Sequence, residues 1–371
     1  MERLKPLEHA FKAFFFSISR LFLKKGRRDF VPIDGNQIKR VLFLRPEKIG
    51  DMVISFPVFD GLKAKYPHIE ISIMGSPRNE AIIKGDPRFE RIFLYRKNIW
   101  RDFKEVMAIR REKFDCVVDM ICDDSVTALF LSQYCAPGKS RIGVGKVKHR
   151  EYYDFNYDHR MGNTGHIIEN TLKLLTAFDI DPNEVSGYAH PYVTPSALAR
   201  ADDFARELRN GASGALLVGY NLSAGARTRI WALDKAQELI DCILAYRDDC
   251  KVVLMTAPPD RARADELQAR LDGRVIQVPP GLNLTEASAF ISRMDVLITP
   301  DTSVVHIARA FKVPVVGLYS RFMKNFLLWR PYDQPVGAVV SGNDDNIFDI
   351  TVDQVFDTFV EVVQQSATVE K

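Results

Sequence analysis

Cysteine is scarce. The 371-residue chain has 5, at Cys116, Cys122, Cys135, Cys242 and Cys250, with no C-x-x-C pair and no zinc-like spacing. An odd number cannot pair completely within one chain, so a disulfide framework is excluded and a reducing, cytoplasmic setting is the expectation. No run reaches the roughly 18 consecutive apolar residues that a membrane-spanning helix needs. Charge of one sign is lacking too: 51 Lys and Arg against 48 Asp and Glu leave +3 at pH 7. A dedicated nucleic-acid binder carries a larger, clustered surplus, so nucleic acid is not an expected partner. A G-x-G-x-x-G turn after the first apolar strand, a Walker loop and an H-E-x-x-H helix are all missing, which weighs against dehydrogenase, P-loop and zincin chemistry.

What is present is an ordinary globular composition, 46% hydrophobic and 27% charged, on a chain long enough for two domains with separate cores. Its positive charge is unevenly placed, because residues 1–30 hold eight Lys/Arg against three Asp/Glu. Within them, residues 8–25 predict one amphipathic helix, with Phe11, Phe14, Phe15, Ile18, Leu21 and Phe22 at three- and four-residue spacing. The stretch runs into Lys24-Lys25-Gly26-Arg27-Arg28 rather than a small-residue cleavage site, so it does not read as a secretory signal. Residues 8–28 can lie on an anionic membrane surface, or the phenylalanine face can dock on the protein itself; both readings stand.

Beyond a polar connector, short apolar runs alternate with helical patterns. Strands are expected at 40–45, 69–74, 91–95 and 116–121, then at 216–221, 251–256, 274–278, 296–299 and 314–319. Such alternation predicts an α/β protein with mainly parallel, doubly wound sheets. The polar, aromatic stretch 145–165 reads as a long loop, and Pro182, Pro191 and Pro195 mark a linker between two similar halves. The expected divisions are an N-terminal helix and connector (1–38), a first Rossmann-like domain (39–190), a second (191–347) and a C-terminal helix and tail (348–371).

In open α/β sheets ligands gather at the carboxyl ends of strands, beside helix N-termini. Three turns of this kind carry chemistry. In Arg45-Pro-Glu-Lys-Ile-Gly-Asp51, Gly50 permits close backbone approach and Asp51 is either a helix cap or a carboxylate placed to take a proton from a hydroxyl. In Ser223-Ala-Gly-Ala-Arg-Thr-Arg229, small residues and two arginines suit a diphosphate, although a solvated basic loop has the same composition. In Thr299-Pro-Asp-Thr-Ser-Val-Val-His306, Asp301, Thr302 and Ser303 can cap a helix whose N–H groups, with His306, face a phosphate or ribose; the other reading is a capped helix with an incidental histidine. The acidic pairs Asp123-Asp124 and Asp344-Asp345 read as solvated surface rather than a metal site, and Trp231 as packing.

Together these segments resemble the ADP-heptose:lipopolysaccharide heptosyltransferase family. The resemblance runs through Val41 to Pro57, Tyr66-Pro67, Asn221 to Ala226 with Arg229 and Trp231, and Ile298 to Ala310 with Pro314 to Tyr319. It implies the GT-B architecture: two Rossmann-like domains facing a central cleft, the first taking the acceptor and the second the nucleotide sugar. It further implies an inverting, metal-independent glycosyl transfer with no cofactor. The donor would be a nucleotide sugar, ADP-heptose above all, and the acceptor a lipid-linked saccharide at the inner membrane. Asp51 would be the general base. Gly50, Ser223, Ala224, Arg229, Asp301, Thr302, Ser303 and His306 would hold the donor, and Lys48 and Asp119 the acceptor.

Two departures stand out. Ser303 occupies a position where the family commonly has glycine, and the segment from Asp119 reads Asp-Met-Ile-Cys-Asp-Asp-Ser instead of Asp followed by Gln-Gly. They keep two alternatives in play, a GT-B transferase for another nucleotide sugar and a catalytically silent nucleotide-sugar-binding protein.

Overall fold

A computed structural model describes residues 23–27, 29–122, 124–158, 165–209, 215–271 and 273–369. The helix expected over 8–25 therefore lies almost wholly outside the described residues. The first half runs β1 (Arg40–Leu44), α1 (Ile49–Val53), α2 (Phe56–Lys65), β2 (Glu70–Gly75), α3 (Glu80–Ile83), β3 (Phe89–Leu94), α4 (Ile99–Glu112), β4 (Cys116–Asp119), α5 (Val126–Cys135), β5 (Ser140–Val144), β6 (Phe155–Tyr157) and α6 (Ile167–Leu172). The second runs α7 (Pro195–Leu208), β7 (Leu217–Asn221), α8 (Leu233–Tyr246), β8 (Lys251–Met255), α9 (Arg261–Arg270), β9 (Val275–Gln277), α10 (Leu284–Ile291), β10 (Val296–Pro300), α11 (Ser303–Ala310), β11 (Val315–Tyr319), α12 (Met323–Trp329), β12 (Ala338–Val340) and α13 (Val352–Val369).

The sheets have strand orders β3-β2-β1-β4-β5-β6 and β12-β11-β10-β7-β8-β9, and every pairing is parallel. Counted from its own first strand, each half has the Rossmann order 3-2-1-4-5-6. The central strands are buried along nearly their whole length, because parallel sheets are covered on both faces and so demand continuous apolar runs such as Val41-Leu-Phe-Leu44. Helix starts are written locally. Asn98, Ser125 and Thr194 cap α4, α5 and α7 through their side chains, and Asn283 with Glu286 forms a capping box on α10.

Several expectations are corrected. The helical stretch after β1 is broken between α1 and α2, since Pro57 has no amide to offer the carbonyl of Val53. The stretch 166–178 begins as α6 and tightens into a 3-10 helix at Lys173–Phe178. Residues 145–165 are not all loop: β6 pairs with β5, and residues 159–164 lie outside the described residues. Strands β5, β6 and β12 were not expected; β6 and β12 are three-residue outer strands, too short to show a pattern. Helix α13 does not stand apart as a tail, since Val352, Val355, Phe359 and Val362 belong to the core of the second sheet. Trp231 is buried in that core, donating its indole N–H to the Ile350 carbonyl at 3.1 Å.

The halves meet along α1 against α11 and α3 against α10. Their linker is pinned as well. The buried Arg309 at the end of α11 donates to the Tyr332 carbonyl (2.8 Å) and the Tyr188 hydroxyl (3.2 Å), Tyr188 donates to Asp333 (2.8 Å), and the His190 ring stacks on Phe311 at 4.5 Å.

At the carboxyl end of β4, Asp119 is wholly buried. Its Oδ2 faces the equally buried Lys146 Nζ at 2.8 Å and accepts the Tyr153 hydroxyl at 2.5 Å, while Oδ1 accepts the Ile121 amide at 3.1 Å. Removing one member of a buried ion pair strands the other charge, at a cost of about 3–5 kcal/mol. Lys146→Met is therefore expected to lower the unfolding free energy of the first domain by that amount, read as a lower urea midpoint at unchanged slope, and Asp119→Leu added to it should recover most of the loss. A midpoint unchanged in Lys146→Met would show that the pair does not hold this strand end.

Candidate active site

Residues at the ends of β1, β7 and β10 converge on the seam between the domains. The β1–α1 turn is built on Arg45, an arginine that ends an apolar strand and is only 1% exposed. Its Nε donates to the Asp51 carbonyl (2.9 Å), and Nη1 reaches Glu47 (2.5 Å) and the Met120 carbonyl at the end of β4. Burial opposes its charge, but Glu47 and Asp51 outweigh that effect and hold its pKa above the ordinary arginine value. Asn79 spans the same turn, donating to the Arg45 carbonyl at 2.7 Å and accepting the Ser76 amide at 2.8 Å.

Asp51 stands in the first turn of α1. Its Oδ2 accepts the Lys48 amide at 3.0 Å, and its Oδ1 lies 3.8 Å from Arg45 Nη2. The capping role foreseen as an alternative is thus real, and a half-buried carboxylate fixed at the seam comes with it. Lys48 is exposed at the rim of this turn.

Across the seam α11 begins. Thr302 is its N-cap, accepting the Val304 amide at 3.3 Å, and Ser303 is its first residue. A Cβ placed on Gly50 would stand 3.2 Å from His306 Cδ2 and 3.7 Å from Ser303 Cα, so the missing side chain at 50 makes room for the serine at 303. Asp301 binds Arg229 twice, by its carboxylate (3.0 Å) and its carbonyl (2.9 Å). Burial raises the Asp301 pKa, with Arg229 and Lys48 pulling the other way. Below them the Tyr319 hydroxyl is buried without a hydrogen-bond partner among the described residues, and burial drives its pKa far up.

Beside the seam, a cavity of about 740 Å³ opens over the carboxyl ends of β7, β8 and β9. Ser223, Ala224, Thr302 and Ser303 line it, and Ile49 is the first domain's contribution. Its wall is apolar (Met255, Val278, Leu282, Leu284), and Pro258-Pro259 and Pro279-Pro280 stiffen its rim. Asn221 bridges the two switch-point strands beneath it, donating to Thr299 Oγ1 at 2.9 Å and accepting the Ser223 amide at 3.1 Å. The Ser223 hydroxyl accepts the Ala257 amide at 2.8 Å.

Thus Gly50, Lys48, Arg229, Asp301, Thr302 and Ser303 come together at the seam, Asp51 follows Gly50 on α1, and Ser223 and Ala224 join them through the cavity. Two expected site residues are placed otherwise. Asp119 is walled in by Lys146 and Tyr153 and is not open to an acceptor. His306 points away from the cavity into the packed seam, with its ring 5.4 Å from Trp329 and 6.4 Å from His166. Sequence reasoning missed Asn79, the Asn221–Thr299 bridge and the apolar wall. Two Pro-Pro pairs directly after strands were the readable sign of the rim.

Two Rossmann-ordered domains with an open cavity at the second domain's carboxyl edge form the GT-B architecture. The family model for glycosyltransferase family 9 (heptosyltransferase) matches residues 103–349, and the chain belongs to that family. It is 23% identical over 311 residues to lipopolysaccharide heptosyltransferase 3 of Escherichia coli K12, covering 79% of this chain and 86% of that protein. Among solved structures, the glycosyl transferase family 9 protein of Veillonella parvula superposes with a TM-score of 0.71 at 18% identity, over 91% of this chain and all of that one. An E. coli heptosyltransferase with ADP-2-deoxy-2-fluoro heptose does so with a TM-score of 0.64 at 17% identity, over 87% of this chain and 99% of that one.

The two seam histidines make stability depend on acid. Burial lowers His306 to about 4; His166 falls to about 3 through burial and the neighbouring His306. The unfolded chain takes up protons below about pH 6.5 that the folded protein refuses until near pH 4, so stability is full above 6.5 and falls through that window. At about 1.4 kcal/mol per unit, His306 alone accounts for roughly 3 kcal/mol at the lower end. Denaturant unfolding from pH 8 to 4 should show this decline, and His306→Leu should flatten it; an equal slope in the variant would refute the assignment.

Proposed function

We propose that this family 9 glycosyltransferase moves heptose from ADP-heptose to a lipopolysaccharide-type saccharide, inverting the anomeric centre, with Asp51 as the base. The observation that carries the reading is the meeting of α1, which carries Asp51, and the N-terminus of α11 at one seam, beside a cavity large enough for a nucleotide. The relatives named for heptosyl transfer to lipopolysaccharide, and the related structure with an ADP-heptose analogue, support the choice of donor and acceptor.

In this reading the nucleoside occupies the cavity over β7–β9, against Met255, Val278 and Leu282. The diphosphate lies at the α11 N-terminus, where unpaired amides and the positive end of the helix favour an anion. Arg229, held by Asp301, adds a guanidinium whose fork suits phosphate oxygens. Asp51 takes the proton from the acceptor hydroxyl. That oxygen then bonds to the anomeric carbon from the face opposite the diphosphate, the bond from carbon to the diphosphate oxygen breaks, and ADP leaves with its electron pair. The Lys48 amide and Arg45 hold the Asp51 carboxylate in place. The charge that develops on the leaving diphosphate is met by Arg229 and the helix end. Lys48 is the exposed cation at the acceptor's side of this turn.

Titration calorimetry with ADP-heptose, ADP, UDP and GDP, paired with a transfer assay, tests the reading. ADP compounds should bind saturably. Arg229→Ala and Asp301→Ala should each weaken that binding about tenfold or more, since each removes a charge-assisted contact or its support. Asp51→Asn should bind ADP as the parent does while transfer falls about 10²–10⁴-fold, the usual share of a general base. An active Asn variant would remove Asp51 from its role. Tight UDP or GDP binding without ADP binding would change the donor, and binding of none would leave a catalytically silent protein.

A further inference from the structure

Outside the seam, the strongest unexplained feature is the outer face of α4. Ile99, Trp100 and Phe103 are 80%, 78% and 62% exposed, and Met107 follows one turn on at 37%. At 100° per residue these four fall on one side of the helix. Exposed Lys104, Arg110 and Arg111 are interleaved with them and border them.

The helix's three acids lie on the inward half, and each is engaged. Asp102 accepts the amides of Arg96 (2.7 Å) and Asn98 (2.8 Å), Glu105 pairs with Arg96 (2.9 Å), and Glu112 pairs with Arg91 (2.8 Å). The solvent side of α4 therefore carries large apolar side chains and cations and no carboxylate. Ile109, on the opposite side, is fully buried, so the orientation of the helix is fixed by its core and the apolar groups are not held outward by chance.

We propose that this face of α4 is a lipid-contact surface that seats the enzyme on an anionic bilayer, with Trp100 and Phe103 entering the headgroup boundary and the flanking Lys and Arg meeting lipid phosphates. An unpartnered apolar patch marks an interaction site, and the charge around this one selects an anionic partner. A protein partner would be favoured by mixed charge, which this face does not have.

The surroundings agree. Helix α5 packs beside α4, and the described N-terminal segment is fastened to α5: Leu23 is buried against Leu129, and the Lys24 carbonyl accepts the Gln133 amide at 2.7 Å. Residues 1–22, with their phenylalanines and cations, thus join the chain on the same flank. Helix α4 also starts at the carboxyl edge of its sheet, the edge from which α1 and Asp51 leave, so a bilayer touching α4 lies beside the mouth of the cleft. The proposal stands on this surface alone, and its test needs neither donor nor acceptor.

The full chain should float with phosphatidylcholine vesicles that carry about a third phosphatidylglycerol, less with added salt, and not with phosphatidylcholine alone. On vesicle binding, tryptophan emission should shift to the blue, and Trp100→Phe should abolish the shift while Trp231 and Trp329 remain. Trp100→Glu with Phe103→Glu should lower the partition coefficient at least about tenfold, and Lys104→Gln with Arg111→Gln several-fold, with circular dichroism unchanged. The proposal is overturned if the parent does not float, or if the α4 variants float as the parent does, which would place binding on residues 1–22. It is equally overturned if Trp100 emission is already blue without vesicles and does not respond to them, the result expected were residues 8–22 or a second copy covering α4.

Discussion

The separation between α1 and α11 sets where every charged group at the seam can stand. Gly50 lies at the point of closest approach. With no Cβ at 50 the helices approach closely; a Cβ there would stand 3.2 Å from the His306 ring, which would have to give by a few tenths of an ångström. Two helix N-termini brought so close turn their positive ends toward a common space, an arrangement that repels unless anions share it. The protein supplies two, Asp51 on one side and Asp301 on the other. The nucleoside diphosphate of the proposed donor would be a third anion, with the cavity beside α11 open to its apolar and ribosyl part.

Charge alternates through this region, and the alternation lets so many ionised groups sit half-buried. Arg45 lies beneath Glu47 and Asp51, Lys48 stands above, and Arg229 grips Asp301. Arg45 does more than balance charge. By donating both to the Asp51 carbonyl and to the Met120 carbonyl it ties the β1–α1 turn to the end of β4, the two strands that flank the first domain's switch point. Asp51 is then positioned by the sheet rather than by the flexibility of a loop. The second domain has its counterpart in the Asn221–Thr299 bridge between β7 and β10.

The parts of this design that rest on local pattern were legible in the sequence. Continuous apolar runs such as Val296-Leu-Ile298 announce buried parallel strands, and the Thr302 cap announces α11. What escaped reading depends on long-range geometry. Nothing near Asp119 foretells Lys146 and Tyr153, 27 and 34 positions away, which turn a candidate ligand into a buried strut. His306 has the spacing of a phosphate contact one turn into a helix, yet the first domain docks on that very side and buries its ring. Strands β6 and β12 are too short and too near the edge for burial to impose a pattern.

The two domains therefore share a topology but spend their switch points differently. In the second, the space between β7 and β10 is left open and lined with small residues, Ser223 and Ala224 on one turn and Thr302 and Ser303 on the other. In the first, the equivalent space between β1 and β4 is filled by side chains, Arg45 reaching the Met120 carbonyl from one strand end and Asp119 paired with Lys146 at the other. A filled switch point cannot take a ligand, but it holds the carboxylate at its rim rigidly. Catalysis by a base asks for that rigidity, because an oxygen displaced by one ångström loses the hydroxyl it must deprotonate. The same filling leaves the rim and the exposed flank of the first domain, where Lys48 and the outer face of α4 present cations, to meet whatever approaches the cleft.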